Sequence, residues 1–356
     1  MTVLIFILTL ALLILVHEFG HFLAAKKNGV KVEEFGFGLP PKLFGIKKGE
    51  TLYSVNLLPF GGFVKLYGEE YHEIKNKSLS QRAFINKKPW QKFLIVIGGV
   101  IGNFLLGWVL ISYLFTQGVP VPANKVIVEK VLSRSPAALA GLKDKDTLLN
   151  IIIQNPQHPQ IPLKSAEDLI SLSKKYAGQT IKITVQRNDQ QLSITLTPRK
   201  NPPKGEGPLG IVITSFVEKK FPWYQAPFYG LIEASRISYK ITVEIIKVLV
   251  QLVTFQRPQV DVTGPVGIAR YAETAIKFGK NAFLEFLALL SLNLAIINIL
   301  PFPALDGGRL MFIIYEGITK KKPNKNIEKY TNMVGMLILL SLALIITIND
   351  IIKIYK

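Results

Sequence analysis

His17 and His21 stand four residues apart and enclose Glu18 in the run His17-Glu18-Phe19-Gly20-His21. On a helix, residues at that spacing share one face a turn apart, so both imidazoles can bind a single cation. Glu18 is rotated about 100° around the axis from His17, which suits a proton acceptor better than a third ligand. Zinc is the expected ion, because it takes imidazole nitrogen and lowers the pKa of water toward about 7. The bland alternative is a pair of core histidines satisfied by hydrogen bonds. It is disfavoured because the surrounding run, VLIFILTLALLILVHEFGHFLAA, is apolar, and ionisable groups in hydrocarbon are costly and mark function.

A catalytic zinc normally keeps three protein ligands and one open position. The chain has no cysteine, which removes thiolate ligands, iron–sulfur clusters, cysteine nucleophiles and disulfides. The remaining histidines, His72 and His158, fall in stretches expected to be aqueous and have no partner at ligand spacing. An intramembrane carboxylate is the natural candidate, and Asp306 is the acid at the inner end of a later apolar segment that closes with Asn298-Ile299-Leu300-Pro301-Phe302-Pro303-Ala304-Leu305-Asp306-Gly307-Gly308. A plain helix-end carboxylate is the other reading. Depth favours the ligand: His17 lies about 24 Å along a helix that starts outside, near the inner end of its span, where Asp306 also emerges.

These residues require a membrane to position them. The chain of 356 residues is 49% hydrophobic, and a bilayer core of about 30 Å needs roughly 20 apolar residues per helix. Four such windows occur, at about 3–25, 93–115, 282–300 and 333–352, the second rich in glycine and therefore suited to close helix approach. The first lacks a basic leader and a small-residue cleavage site and reads as a retained span. The net charge of +19 flanks apolar segments, so an anionic bilayer surface is expected as partner and nucleic acid is not. Lys26 to Lys92 holds 13 Lys+Arg against six acids, and Arg309, Lys320, Lys321, Lys322, Lys325 and Lys329 follow the third span. By the positive-inside rule both loops are cytoplasmic and both chain ends lie outside.

The piece between spans two and three is then extracytoplasmic. Alternating VIVEKVL, TIKITVQ and LSITLTP suggest strands; SPAALAGL and SAEDLISLSKKY have helical periods; Gly141, Asn188, Asp189 and KNPPKGEGP supply turns. The phrases SRSPAALAGLKDKDTLLNI and GPLGIVI resemble a bacterial PDZ domain, in which the loop at Pro208 to Gly210 and the next strand would receive an extended peptide or its C-terminus. Between Phe221 and Gln256, Glu233, Arg236, Lys240, Glu244 and Lys247 recur at helical spacing, which fits an amphipathic helix on the bilayer or bracing the bundle.

His-Glu-x-x-His in a first span, joined to N-x-x-P-x-P-x-L-D-G in a later one, resembles the site-2 intramembrane metalloproteases, specifically the bacterial regulator-of-sigma-E type. The likeness extends to Pro59-Phe60-Gly61-Gly62-Phe63-Val64-Lys65, Gly102-Asn103-Phe104 and Gly264-Pro265-Val266-Gly267. It implies His17, His21 and Asp306 as zinc ligands and Glu18 as general base. The implied substrate is a single-span membrane protein cut within its bilayer segment, either an anti-sigma factor after a first cut or a remnant signal peptide. Enterobacterial members carry two PDZ domains in tandem, whereas this chain has room for one.

The expected architecture is an α-helical bundle of four transmembrane helices with a cytoplasmic-side β-hairpin or sheet and one extracytoplasmic PDZ domain, in a bacterial inner membrane. Its divisions are 1–117, two spans with a membrane-associated β-loop; 118–216, the PDZ domain; 217–281, an amphipathic helical linker; and 282–356, two further spans. A transmembrane substrate must unwind to expose a peptide bond, and the freed backbone groups need partners. Thr51 to Leu66 alternates around a Pro-Phe-Gly-Gly turn, so a hairpin including Gly61, Gly62 and Phe63 is expected to offer an edge. Pro301 and Pro303 cannot continue a helical ladder and leave carbonyls exposed, while Asn298 could clamp substrate backbone. Asn103 reads instead as an interhelical hydrogen-bonding residue. Two rival classes are a non-catalytic PDZ-bearing zinc adaptor and a metal transporter. The first gives Glu18 no reason to be acidic, and the second lacks repeated halves.

Overall fold

The structure, a computed structural model, describes residues 2–69, 77–153, 160–188, 190–254, 256 and 263–355. His72, His158 and Asp189 lie outside them. The chain divides into two compact units: residues 1–117 with 222–356, and residues 118–221.

In the first unit, helices α1 (Thr2–Lys27), α2 (Pro89–Gln117), α7 (Lys280–Ile299) and α9 (Lys325–Tyr355) contain the four segments long and apolar enough to cross a membrane: Leu4–Lys27, Pro89–Gln117, Lys280–Ile299 and Lys325–Lys353. Each overlaps an expected window. The glycines of α2 let it close on α1: a Cβ added to Gly20 would lie 2.1 Å from the Gly98 carbonyl oxygen. Helix α7 packs on the other flank of α2, where Ser291 donates to the Asn103 carbonyl at 2.7 Å. Helix α5 (Ala226–Val253) sets Ala234, Ile237 and Ile241 against Ile111 of α2. Its charges Glu233, Arg236, Glu244 and Lys247 pair along its own exposed surface, as an amphipathic brace requires. Helix α6 (Pro265–Lys277) explains the Gly264-Pro265-Val266-Gly267 run. The Asp350 carboxylate of α9 accepts from the N–H groups of Gly264 (3.0 Å) and Gly267 (2.9 Å), satisfying otherwise orphaned donors at that helix start.

Two elements differ from expectation. Thr51 to Leu66 is not a hairpin folded about Pro-Phe-Gly-Gly. It forms a single bent strand, β2 (Thr51–Leu66), antiparallel to an unforeseen β1 (Val32–Lys48), with the connecting turn at Gly49-Glu50. Glu34 to Phe37 is paired on both sides, with 62–65 and with 52–55, so the Pro59–Gly62 bend carries the chain across β1 instead of back onto itself. The segment 62–65 is thereby left with a single partner strand among the described residues. The second unforeseen element is α8 (Asp306–Thr319), placed where a loop was expected. Its far end is held by Glu316, whose carboxylate accepts from the buried Lys92 ammonium of α2 at 2.8 Å.

Residues 118–221 form a six-stranded sheet in the order β7 (Gln190–Leu196), β6 (Ile181–Arg187), β4 (Thr147–Ile153), β3 (Val119–Val131), β8 (Ile211–Lys219), with β5 (Ile161–Pro162) beside β4 and helices α3 (Pro136–Leu139) and α4 (Ala166–Lys175). The alternating runs are the strands that periodicity predicts, with Val126, Val128, Ile181, Ile183 and Val185 facing the core with Leu148 and Leu169. A capping box between Ser165 and Asp168 starts α4. Asn188, at φ 46°, sits in the β6–β7 turn. Strand β8 is an edge, and a groove of about 340 Å³ is lined by Leu169, Ile170, Ser173 and Lys174 of α4 and by Pro208 to Ile211 and Ile213.

Candidate metal centre

Helix α1 presents His17 and His21 on one face, with their Nε2 atoms 3.2 Å apart. The Asp306 Oδ2 atom lies 3.0 Å from His17 Nε2 and 3.1 Å from His21 Nε2, so residues nearly three hundred positions apart converge. The bend that delivers Asp306 depends on small residues. A Cβ on Gly307 would lie 2.0 Å from the Leu300 carbonyl oxygen, and one on Gly308 would lie 2.4 Å from that of Phe302. Only glycine lets the chain leave α7 through Pro301 and Pro303 and begin α8 so abruptly.

Three donor atoms 3.0–3.2 Å apart approach the edge of a tetrahedron around an ion with bonds of about 2.0–2.1 Å, which is about 3.3 Å. The polar atoms are also unsatisfied as they stand. Among the described residues, neither Asp306 Oδ2 nor His17 Nδ1 has a well-directed hydrogen-bond partner. His21 Nδ1 lies 2.9 Å from the Ile95 carbonyl, which can only accept. That ring nitrogen therefore carries the proton, and the Nε2 lone pair is left to face His17 and Asp306. Room is made by Gly99 of α2: an added Cβ would fall 2.4 Å from His21 Nε2 and 2.6 Å from His17 Cε1. The donor set and its cradle fit a tetrahedral zinc with an open position.

Glu18 lines both cavities that meet at the cluster. The larger, about 490 Å³, is bordered by His17, His21, Asp306, Phe63 to Leu66, Glu69 and Arg309. The other, about 270 Å³, is bordered by Ile14, Asn103, Leu294, Asn298, Ala304 and Asp306. Gly62 sits against the Glu18 side chain, its would-be Cβ 3.2 Å from Cγ, so the singly paired segment of β2 runs beside the site. Gly61 lies against Leu39 instead. Neither Pro301 nor Pro303 lines either of these two cavities; Pro303 packs on Gly335 of α9, where an added Cβ would lie 2.5 Å away. Asn103 corrects its expectation: its backbone carbonyl makes the contact to α7, while both side-chain polar atoms are buried without a partner among the described residues.

Sequence reasoning passed over Gly99 and the ion pair between Arg309 and Glu69, which ties α8 to the chain leaving β2. The Gly98-Gly99 doublet in an apolar helix was the available signal for the first. Nothing in the sequence links the second pair.

A family model described as peptidase family M50 matches residues 5–342. The chain belongs to peptidase family M50, the site-2 proteases. Similar chains include a protein of Clostridium acetobutylicum named as a zinc metalloprotease, 34% identical over 98% of this chain and 97% of that one. Another of that name from Clostridium perfringens is 36% identical over 97% of each. The regulator of sigma-W protease RasP of Bacillus subtilis is 28% identical over 99% of each. Among solved structures, the PDZ domain of an SdrC-like protein from Listeria monocytogenes is 25% identical and covers 27% of this chain and 94% of that one, with a TM-score of 0.22. The family and these relatives support a zinc metalloprotease of the site-2 type.

Proposed function

We propose that this chain is a zinc-dependent intramembrane endopeptidase in which His17, His21 and Asp306 hold the ion and Glu18 is the general base. The observation that carries the reading is the meeting of three ligand atoms beside a carboxylate, with His17, Glu18 and His21 on a helix long and apolar enough to cross a bilayer and Asp306 brought to them at the start of α8. Zinc bound there supplies Lewis acidity, lowering the pKa of water toward about 7 and polarising a peptide carbonyl. Glu18 takes the proton from water and passes it to the leaving amine. The Ile95 carbonyl fixes the tautomer of His21, and Gly99 keeps the centre open.

A substrate helix must be unwound to be cut, and its freed backbone finds partners on the 62–65 edge of β2, with Gly62 and Phe63 beside Glu18. Asn298 clamps a peptide group from the smaller cavity. Pro301 and Pro303, lacking N–H groups, leave carbonyls at the end of α7 outside any helical ladder, and Gly61 supports the bend into the edge. The substrates are single-span membrane proteins of the anti-sigma type after a first cut, and remnant signal peptides; the name of the RasP relative supports the first class. The distribution of basic residues supports a topology with the catalytic end toward the cytoplasm and with both termini and residues 118–221 on the outer face of a bacterial cytoplasmic membrane. The groove between α4 and β8 then acts as a PDZ site for an extended peptide or C-terminus.

Glu18→Gln tests this directly. The variant is expected to keep zinc and lose cleavage of a model transmembrane helix in detergent or vesicles. Undiminished cleavage would remove Glu18 from the mechanism.

A further inference from the structure

Asn103 has 0% of its surface exposed, and neither its amide nitrogen nor its amide oxygen has a hydrogen-bond partner among the described residues. Buried amides are ordinarily satisfied, because an unpaired donor and acceptor each cost free energy. The helix contact that would explain an intramembrane asparagine is already made by its backbone carbonyl, which accepts from Ser291 at 2.7 Å. Asn103 also follows Gly99 by four residues on α2 and so shares the face that lies against both imidazoles, one turn farther along. Its side chain borders the cavity of about 270 Å³ that also holds His17, Glu18, Asp306 and Asn298, and whose other walls are apolar, Ile14 and Leu294 among them.

We infer that Asn103 is a substrate-positioning residue: with Asn298 it forms a pair of amides that takes an unwound peptide group of the substrate in the cavity next to the metal-binding cluster. An asparagine offers one acceptor and two donors, which matches the C=O and N–H that a peptide group loses on leaving its helix. Apart from His17, Glu18 and Asp306, which belong to the proposed metal centre, the cavity is walled by apolar side chains, so the two amides are the groups left to replace that ladder. The occupant is therefore an extended backbone and not a particular side chain. The inference rests on the protease reading and adds a residue to it.

The experiment uses full-length protein and a single-span model helix, with cleavage measured in the parent background and helix binding measured in a Glu18→Gln background. Asn103→Leu keeps the volume and removes the amide. It is expected to retain metal and melt no lower than the parent, since it removes orphaned polar atoms, while cleavage and helix binding each weaken about tenfold or more. Asn103→Ser is expected to recover part of the binding that the similarly small Asn103→Ala loses, which keeps the test decisive should the leucine variant fail to fold. Cleavage and binding equal to the parent would overturn the inference. So would a large drop in melting temperature with unchanged turnover per folded molecule, which is the mark of an interhelical bond. A parent that binds the helix without cutting it would defeat the protease reading alone, and the binding arm would still decide the part played by Asn103.

Discussion

Asp146, in residues 118–221, and Asp306, in the helical unit, are both sheltered acids with opposite surroundings. The side chain of Asp146 is 1% exposed and its oxygens are filled: the Arg187 guanidinium donates to both at 2.7 and 2.6 Å, and the Lys143 N–H donates at 2.9 Å. Burial alone would raise this carboxyl; the Arg187 fork and the Lys143 amide overcome it and hold the group below the usual carboxylate range. Asp306 faces two imidazole nitrogens, one of which has its lone pair turned inward, and its Oδ2 atom accepts no well-directed hydrogen bond. A satisfied buried acid stabilises a fold. One held among other Lewis bases is arranged for a cation.

The contrast can be broken at several strengths. The largest effect is expected at Glu18→Gln, where losing the proposed general base should lower cleavage by about 10²- to 10⁴-fold with zinc content unchanged, as read by metal analysis beside a cleavage assay. Next is Gly99→Ala, whose methyl group would occupy the ligand cradle. Zinc affinity should fall by about 10- to 100-fold in competition with a chelator, and affinity equal to the parent would show that α2 does not shape the centre. Arg187→Ala acts on the other acid: leaving Asp146 without its fork should destabilise residues 118–221 by about 2–3 kcal/mol in denaturant unfolding. Cleavage of a substrate that lacks an outer domain should not change.

The smallest effect concerns Glu50, in the β1–β2 turn. Arg82 first and Lys26 second, each 2.7 Å away, lower its carboxyl from 4.5 to about 2. Because the folded value lies below the unfolded one, the stabilisation is present above about pH 4.5 and fades as the pH falls toward about 2. Melting curves of the parent and Glu50→Gln should therefore differ at neutral pH and converge in acid. A difference constant across that window would mean the ion pair contributes nothing.

The parts of the molecule governed by a simple period were open to reading. His17 and His21 at a spacing of four, the apolar helices, and the alternating strands of 118–221 all follow from geometry that repeats along the chain. Strand β1 leaves little mark in the sequence because Gly36, Gly38, Pro40 and Pro41 are residue types that ordinarily interrupt strands, whereas the sheet bends at those residues and continues. Helix α8 was missed because the basic residues that follow it suggested a solvated loop. Gly99 and Asn103 act through space on residues of α1, α7 and α8, and neither the steric void of one nor the unpaired amide of the other leaves a mark in a linear pattern.

The central claim is that a single ion is held jointly by α1 and the start of α8. The direct measurement is zinc per chain, together with cleavage of a model membrane helix, in the parent and in Asp306→Ala. The account predicts about one zinc per parent chain, with both zinc and cleavage lost in the variant. Full zinc and full activity in Asp306→Ala would contradict it.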